Sequence, residues 1–190
     1  MTQQKTTDGI AMLEQAIAHT RKYVAGAKPN QMDDPTPCDK WNVKQLLDHI
    51  SGASKYGVGV LGGAQASGEA HDAAKAGTTV DAYDKATKQL LATAKQPGAL
   101  QKMVKGPGGE MPGGQFLAII TNDILIHGWD LAKATKQDTK LPAGLVETIY
   151  AAMSPGFANL SKTPAFKPMV PVPANADTQT KLLAGLGRKA

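Results

Sequence analysis

Nothing constrains this chain more than one apolar stretch that carries two ionisable side chains. From Phe116 to Ala134, the apolar residues Phe116, Ile120, Ile124 and Leu131 recur at i, i+4, i+8 and i+15. That is the pattern of one broad face of an α-helix. Asp123 and His127 fall within the same stripe, one turn apart, so their side chains point the same way. A carboxylate and an imidazole buried together are costly unless something pairs or neutralises them. A charge-assisted hydrogen bond between the two is one solution. A divalent metal is the other, taking a carboxylate oxygen and an imidazole nitrogen from adjacent turns. His49 lies in a second helical pattern, Val43 to Tyr56, beside Leu46, Ile50 and Ala53. One His and one Asp-x-x-x-His complete a three-ligand site with open positions, the arrangement of a catalytic metal. Both solutions stay open on spacing alone, because His49 contributes only if the two helices face each other.

The 190 residues suffice for one sizeable core and are expected to form a single domain, 1–190. No apolar run is long enough to span a bilayer. The first residues, MTQQKTTDGIAM, lack the basic-then-apolar pattern of a signal peptide, so a cytoplasmic protein is expected, with no membrane partner. One cysteine excludes an internal disulfide and a multi-thiolate zinc site. The net charge of +5 comes almost entirely from dispersed Lys, since Arg21 and Arg188 are the only arginines. Aromatics are sparse and scattered, so no nucleic-acid partner is expected.

The periodicity predicts a first helix over about Asp8–Ala25, with Ile10, Leu13, Ile17 and Val24 inward and His19 exposed. A loop with Pro29, Pro35 and Pro37 follows. Asn42 and Gln45 then form a capping-box pattern that starts the His49 helix. The stretch from Gly62 to Thr78 is rich in Gly and Ala and carries His71, a weaker alternative ligand that could border a pocket. A third helix opens at Thr79 or Asp81 and ends near Gln96. The sequence GPGGEMPGG predicts a hairpin or loop, and its Glu110 is a second candidate for the pocket rim. Pro142 starts a fifth helix to Phe157. The Pro-rich tail, Ala158–Ala176, is expected to lie extended because Phe166, Met169 and Val170 need burial. A short helix over about Asp177–Leu186 closes the chain. The fold class is therefore all-α, a four-helix bundle with extra short C-terminal helices.

Four strings occur here in a specific order: TPCDKWNVKQLLDHI, GGEMPGG, NDILIHGWDLAKATKQ and VPVPANADTQTKLLAGLGR. Together, W-x-V-x-x-L-x-x-H and D-x-x-x-H-G-W-D resemble the mycothiol-dependent maleylpyruvate isomerase N-terminal family, among the DinB-like metal-binding bundles. The similarity extends from about Ile10 to Gly187 and is nearest to the compact single-domain bacterial members. It implies an up-down-down-up four-helix bundle. It also implies a divalent metal held by His49, Asp123 and His127, usually zinc, with nickel found in DinB-like relatives. The isomerase itself has Glu where this chain has Asp123. It also has a second, C-terminal domain that contributes to its active site, which this chain is expected to lack.

The activity implied is that of a metal-dependent thiol S-transferase or isomerase. A low-molecular-weight thiol of the mycothiol type is the co-substrate and a small electrophile the substrate. A homodimer is implied by the DinB-like relatives. The alternative is a non-catalytic metal- or ligand-binding bundle. In the family pattern Trp129 reads as packing, and Asp130 as either structural or a partner of a ligand. Cys38, in a loop with no neighbouring His in sequence, reads as a packed thiol outside the metal triad.

Overall fold

The computed structural model describes residues 2–63, 77–163 and 165–190, which form two compact units, 1–139 and 140–190. His71 lies outside the described residues.

The first unit is a four-helix bundle of α1 (Thr2–Gly26), α2 (Val43–Gly62), α3 (Val80–Ala94) and α4 (Gly113–Ala134). α1 begins several residues earlier than its apolar stripe does. The cap signals read from sequence are present. Asn42 accepts from the Gln45 amide while the Gln45 side chain takes the Asn42 amide, and Thr79 accepts from Ala82. Each satisfies backbone donors that the first helical turn leaves open.

Cross-helix contacts fix the helix directions. Gly9 lies beside Leu117, and the Thr20 hydroxyl donates to the Ile124 carbonyl, so α1 and α4 run parallel. Arg21 pairs with Asp84 and Glu14 with Lys95, so α1 and α3 run antiparallel. The Gly77 amide donates to Asp48 near the start of α2, and Gly57 further along α2 meets Leu90, so α2 and α3 run parallel. The order is up-down-down-up. At the α1–α4 crossing a Cβ on Gly128 would collide with Thr20, so the close approach requires glycine there.

The core between the helices is Leu13, Leu46, Ile50, Tyr83, Leu90, Phe116, Ile120 and Ile124, each fully buried. GPGGEMPGG forms a hairpin of β1 (Met103–Gly106) and β2 (Gly109–Pro112), with Gly106 opposite Gly109. Gly109, at φ +104°, makes the turn that a side chain would strain. The hairpin packs against Phe116 at the start of α4. Glu110 is exposed and sits at that end, about 15 Å of helix before Asp123.

The second unit contains α5 (Ala143–Met153), α6 (Phe157–Leu160) and α7 (Thr178–Gly185). The helix expected to run unbroken to Phe157 instead stops at Met153 and passes through a 3-10 turn over Ser154–Gly156. Pro155 is the cause, because it has no amide hydrogen and its ring clashes with the preceding turn. Asp177 caps α7 by accepting from the Thr180 amide. In the tail, Phe166 and Val170 are half-buried, but Met169 is 47% exposed and does not find the burial expected of it.

Candidate metal centre

Antiparallel α2 and α4 bring His49 to face the turn that carries Asp123 and His127. All three predicted ligands meet in one cluster, with their donor atoms within 4.8 Å of one another. His49 is placed by the capped start of α2, six residues beyond Val43, on the face that buries Leu46 and Ile50. Asp123 and His127 are placed by the buried stripe of α4.

The distances in the cluster bear on the two solutions left open by the sequence. His49 Nε2 lies 3.5 Å from Asp123 Oδ2, and His127 Nε2 lies 3.6 Å from Asp123 Oδ1. A hydrogen bond between such groups would close to about 2.7–3.2 Å. Ligand atoms about 2.1 Å from a tetrahedral metal sit roughly 3.4 Å from each other. The spacing leaves room for a cation among the three side chains.

The opposite side of the His127 ring bears on the same question. Its Nδ1 is 3.0 Å from Asp130 Oδ2, and Asp130 is fully buried. A carboxylate at that distance suits the tautomer in which Nδ1 carries the ring hydrogen and donates it. The neutral ring then presents its Nε2 lone pair toward the Asp123 carboxylate. A cation between them, either a second ring proton or a metal, removes that repulsion. The donor set of two imidazole nitrogens and a carboxylate suits zinc or nickel. The residues present therefore fit the metal the sequence pattern implies.

Two further side chains at the site were missed as contacts by the sequence reading. Trp41 stacks on His49 with ring centroids 4.0 Å apart and planes at 29°, and meets His127 edge-on at 5.4 Å. Cys38 Sγ lies 3.1 Å from Asp130 Oδ2 and 3.5 Å from His127 Nδ1. Both come from the Pro-rich loop. Its base is closed by the Pro35–Asn42 bridge. Inside it, the Thr36 hydroxyl accepts from the Cys38 amide and donates to the Trp41 carbonyl at 2.7 Å. A single Thr thus sets the backbone of both residues. The only available sequence signal was that the string TPCDKW directly precedes the cap of the His49 helix.

The remaining candidates do not join the cluster. His19 is half-buried rather than exposed, and its Nε2 lies 2.7 Å from the Tyr23 hydroxyl. Trp129 is packed, 1% exposed, with the Lys133 ammonium 5.7 Å from its ring centroid. Among the described residues no helix is long and apolar enough to cross a membrane.

Residues 13–132 match the family described as Mycothiol maleylpyruvate isomerase N-terminal domain. Two proteins of Mycobacterium tuberculosis, the uncharacterized proteins Rv0738 and MT0763, are each 31% identical to the chain over 192 residues. Those alignments cover 99% of this chain and 96% of the relative. The crystal structure of the mycothiol-dependent maleylpyruvate isomerase superposes with a TM-score of 0.68 at 13% identity, covering 85% of this chain and 74% of that one. A mutant of that enzyme gives 0.67 at 12%. At this identity the superposition establishes a shared fold.

Proposed function

Because the chain belongs to the mycothiol maleylpyruvate isomerase N-terminal domain family, we propose that it is a divalent-metal protein of thiol chemistry. In this reading it is a thiol S-transferase or isomerase. A low-molecular-weight thiol of the mycothiol type adds to a small electrophile, with or without later elimination. His49, Asp123 and His127 hold the metal, zinc in the first instance and nickel as the alternative. The proposal takes residues 1–190 as one functional domain, with the whole site in the first unit, working in the cytoplasm.

One observation carries the reading. Asp123 stands between two imidazole Nε2 atoms at 3.5 and 3.6 Å, while the outer nitrogen of His127 is engaged by Asp130. When bound, a metal of this class stabilises thiolate over thiol and so supplies a nucleophile at neutral pH. The chain does the rest. Asp123 offsets part of the added positive charge. Trp41 covers one face of His49 and keeps water from it. The His49 and His127 side chains are 6% and 13% exposed, against 20% for Asp123, so a small molecule reaches the site from the Asp123 side.

Elemental mass spectrometry tests the reading on protein incubated with zinc or nickel and freed of excess. About one metal per chain is expected in the wild type. The metal should be lost in His49→Ala and in His127→Ala, with helical circular dichroism preserved. Full metal retention in both variants defeats the triad. Turnover of maleylpyruvate, or of another activated alkene, with mycothiol then separates an enzyme from a metal-binding bundle without catalysis.

A further inference from the structure

The loop thiol is the single cysteine of the chain and is not used by the proposed triad, yet it lies against the residue that engages His127. Cys38 donates its S–H to Asp130 Oδ2 at 3.1 Å, and the His127 Nδ1–H reaches the same oxygen at 3.0 Å. Asp130 is on α4, three residues after His127, and is fully buried. Cys38 comes from the loop before α2, 92 residues away in sequence. A buried carboxylate needs donors, and this one takes them from two separate elements of the bundle.

We propose that Cys38 and Asp130 are positioning residues for His127, forming a thiol–carboxylate–imidazole chain that fixes both the tautomer and the plane of the ring. The proposal deepens the metal-site reading above and rests on it for its consequence, although the tautomer itself does not depend on a metal. Asp130 keeps the ring hydrogen on Nδ1, which leaves the Nε2 lone pair facing Asp123 and His49. Cys38 sets Asp130 in turn. Its S–H gives the oxygen a second donor, which opposes rotation of the carboxylate away from the imidazole. Cys38, His127 and Asp130 also lie close enough together to be a second candidate ligand group; in the present proposal the cysteine acts through Asp130 instead. Thr36, which accepts from the Cys38 amide, fixes where the sulfur sits.

Exchange of Cys38 for Ser should preserve this chain in part, because a hydroxyl donates to the carboxylate but on a shorter bond. Exchange for Ala removes the donor. Because Cys38 is in a half-exposed loop, neither change should disturb the helices.

The test uses the whole chain and two readouts. Long-range proton–nitrogen correlation spectra of the metal-free protein, above neutral pH, report which His127 nitrogen carries hydrogen. Visible absorption during titration with cobalt(II) reports affinity and ligand geometry. The wild type should show hydrogen on Nδ1. Asp130→Asn should mix the tautomers and weaken cobalt binding about 10–100-fold. Cys38→Ala should move both readouts the same way by less, and Cys38→Ser should return toward wild type. Hydrogen on Nε2 in the wild type overturns the proposal. So do a Cys38→Ala tautomer and cobalt affinity equal to wild type. Hydrogen on Nδ1, shifted by Cys38→Ala but with no cobalt uptake by any form, keeps the positioning chain and removes the metal reading instead.

Discussion

His127 has a carboxylate on each side, and the two sides are built differently. Asp130 approaches Nδ1 to 3.0 Å, is fully buried, and receives Cys38 as well. Asp123 stands 3.6 Å from Nε2, is a fifth exposed, and stands 3.5 Å from the second imidazole. One side is complete with protein hydrogens alone, because its spacing is that of hydrogen bonds. The other is held too far apart for hydrogen bonds and at the spacing of ligands about a cation. The same pair of residue types, Asp and His on neighbouring turns of one helix, thus gives a structural contact at i, i+3 and a candidate metal site at i, i+4.

The contrast can be broken most forcefully at the two carboxylates. Asp123→Ala should abolish stoichiometric metal, a larger loss than the ~10–100-fold that an outer partner of a bound histidine contributes. In metal-free protein the same change should move stability by less than about 1 kcal/mol, because the lost contacts are long and partly exposed. Asp130→Ala should weaken metal binding only about 10–100-fold and act mainly on stability. It should cost the metal-free protein about 1–3 kcal/mol, because a buried ring N–H and the Cys38 thiol lose their acceptor. Urea unfolding of both variants without metal, beside their zinc content, reads the two patterns. Equal stability costs would erase the distinction.

A smaller effect is expected at Trp41. Loss of its stacking on His49 in Trp41→Ala should weaken metal binding by about 0.5–1.5 kcal/mol, or roughly 2–12-fold in a competitive zinc titration. The smallest effect is at His19, whose partner is the Tyr23 hydroxyl on its own helix. His19→Gln should leave zinc affinity within about twofold of wild type. A large loss there would mean that half-burial of a histidine, rather than its geometry, marks the site.

Much of this was legible because it is local. The i, i+4 recurrence of apolar residues marked α4 and put Asp123 and His127 on its buried face. The Asn42–Gln45 box marked the start of α2, and the twin Gly-Pro string marked the hairpin. Pro155 was legible too, as a residue that should stop α5, although the helix was expected to run through it to Phe157. The contacts of Cys38, Trp41 and Asp130 were not legible. Cys38 and Asp130 meet across 92 residues, and no periodicity of either segment encodes that meeting. The sequence left Asp130 divided between a structural and a ligand-supporting role, and the 3.0 Å approach to Nδ1 assigns it to His127.

By itself the sequence determined the helices, their inward faces, the three residue types offered to a metal and the family to which the chain belongs. These follow from side-chain spacing along a helix whose rise and turn are constant. Only the tertiary structure decided that α2 opposes α4 at the level of Asp123, that the Pro-rich loop returns to lay Trp41 and Cys38 against the two histidines, and which carboxylate takes which ring nitrogen. Those outcomes depend on how helices pack, through contacts such as Thr20 against Gly128, where about one ångström of approach moves every side chain beyond it.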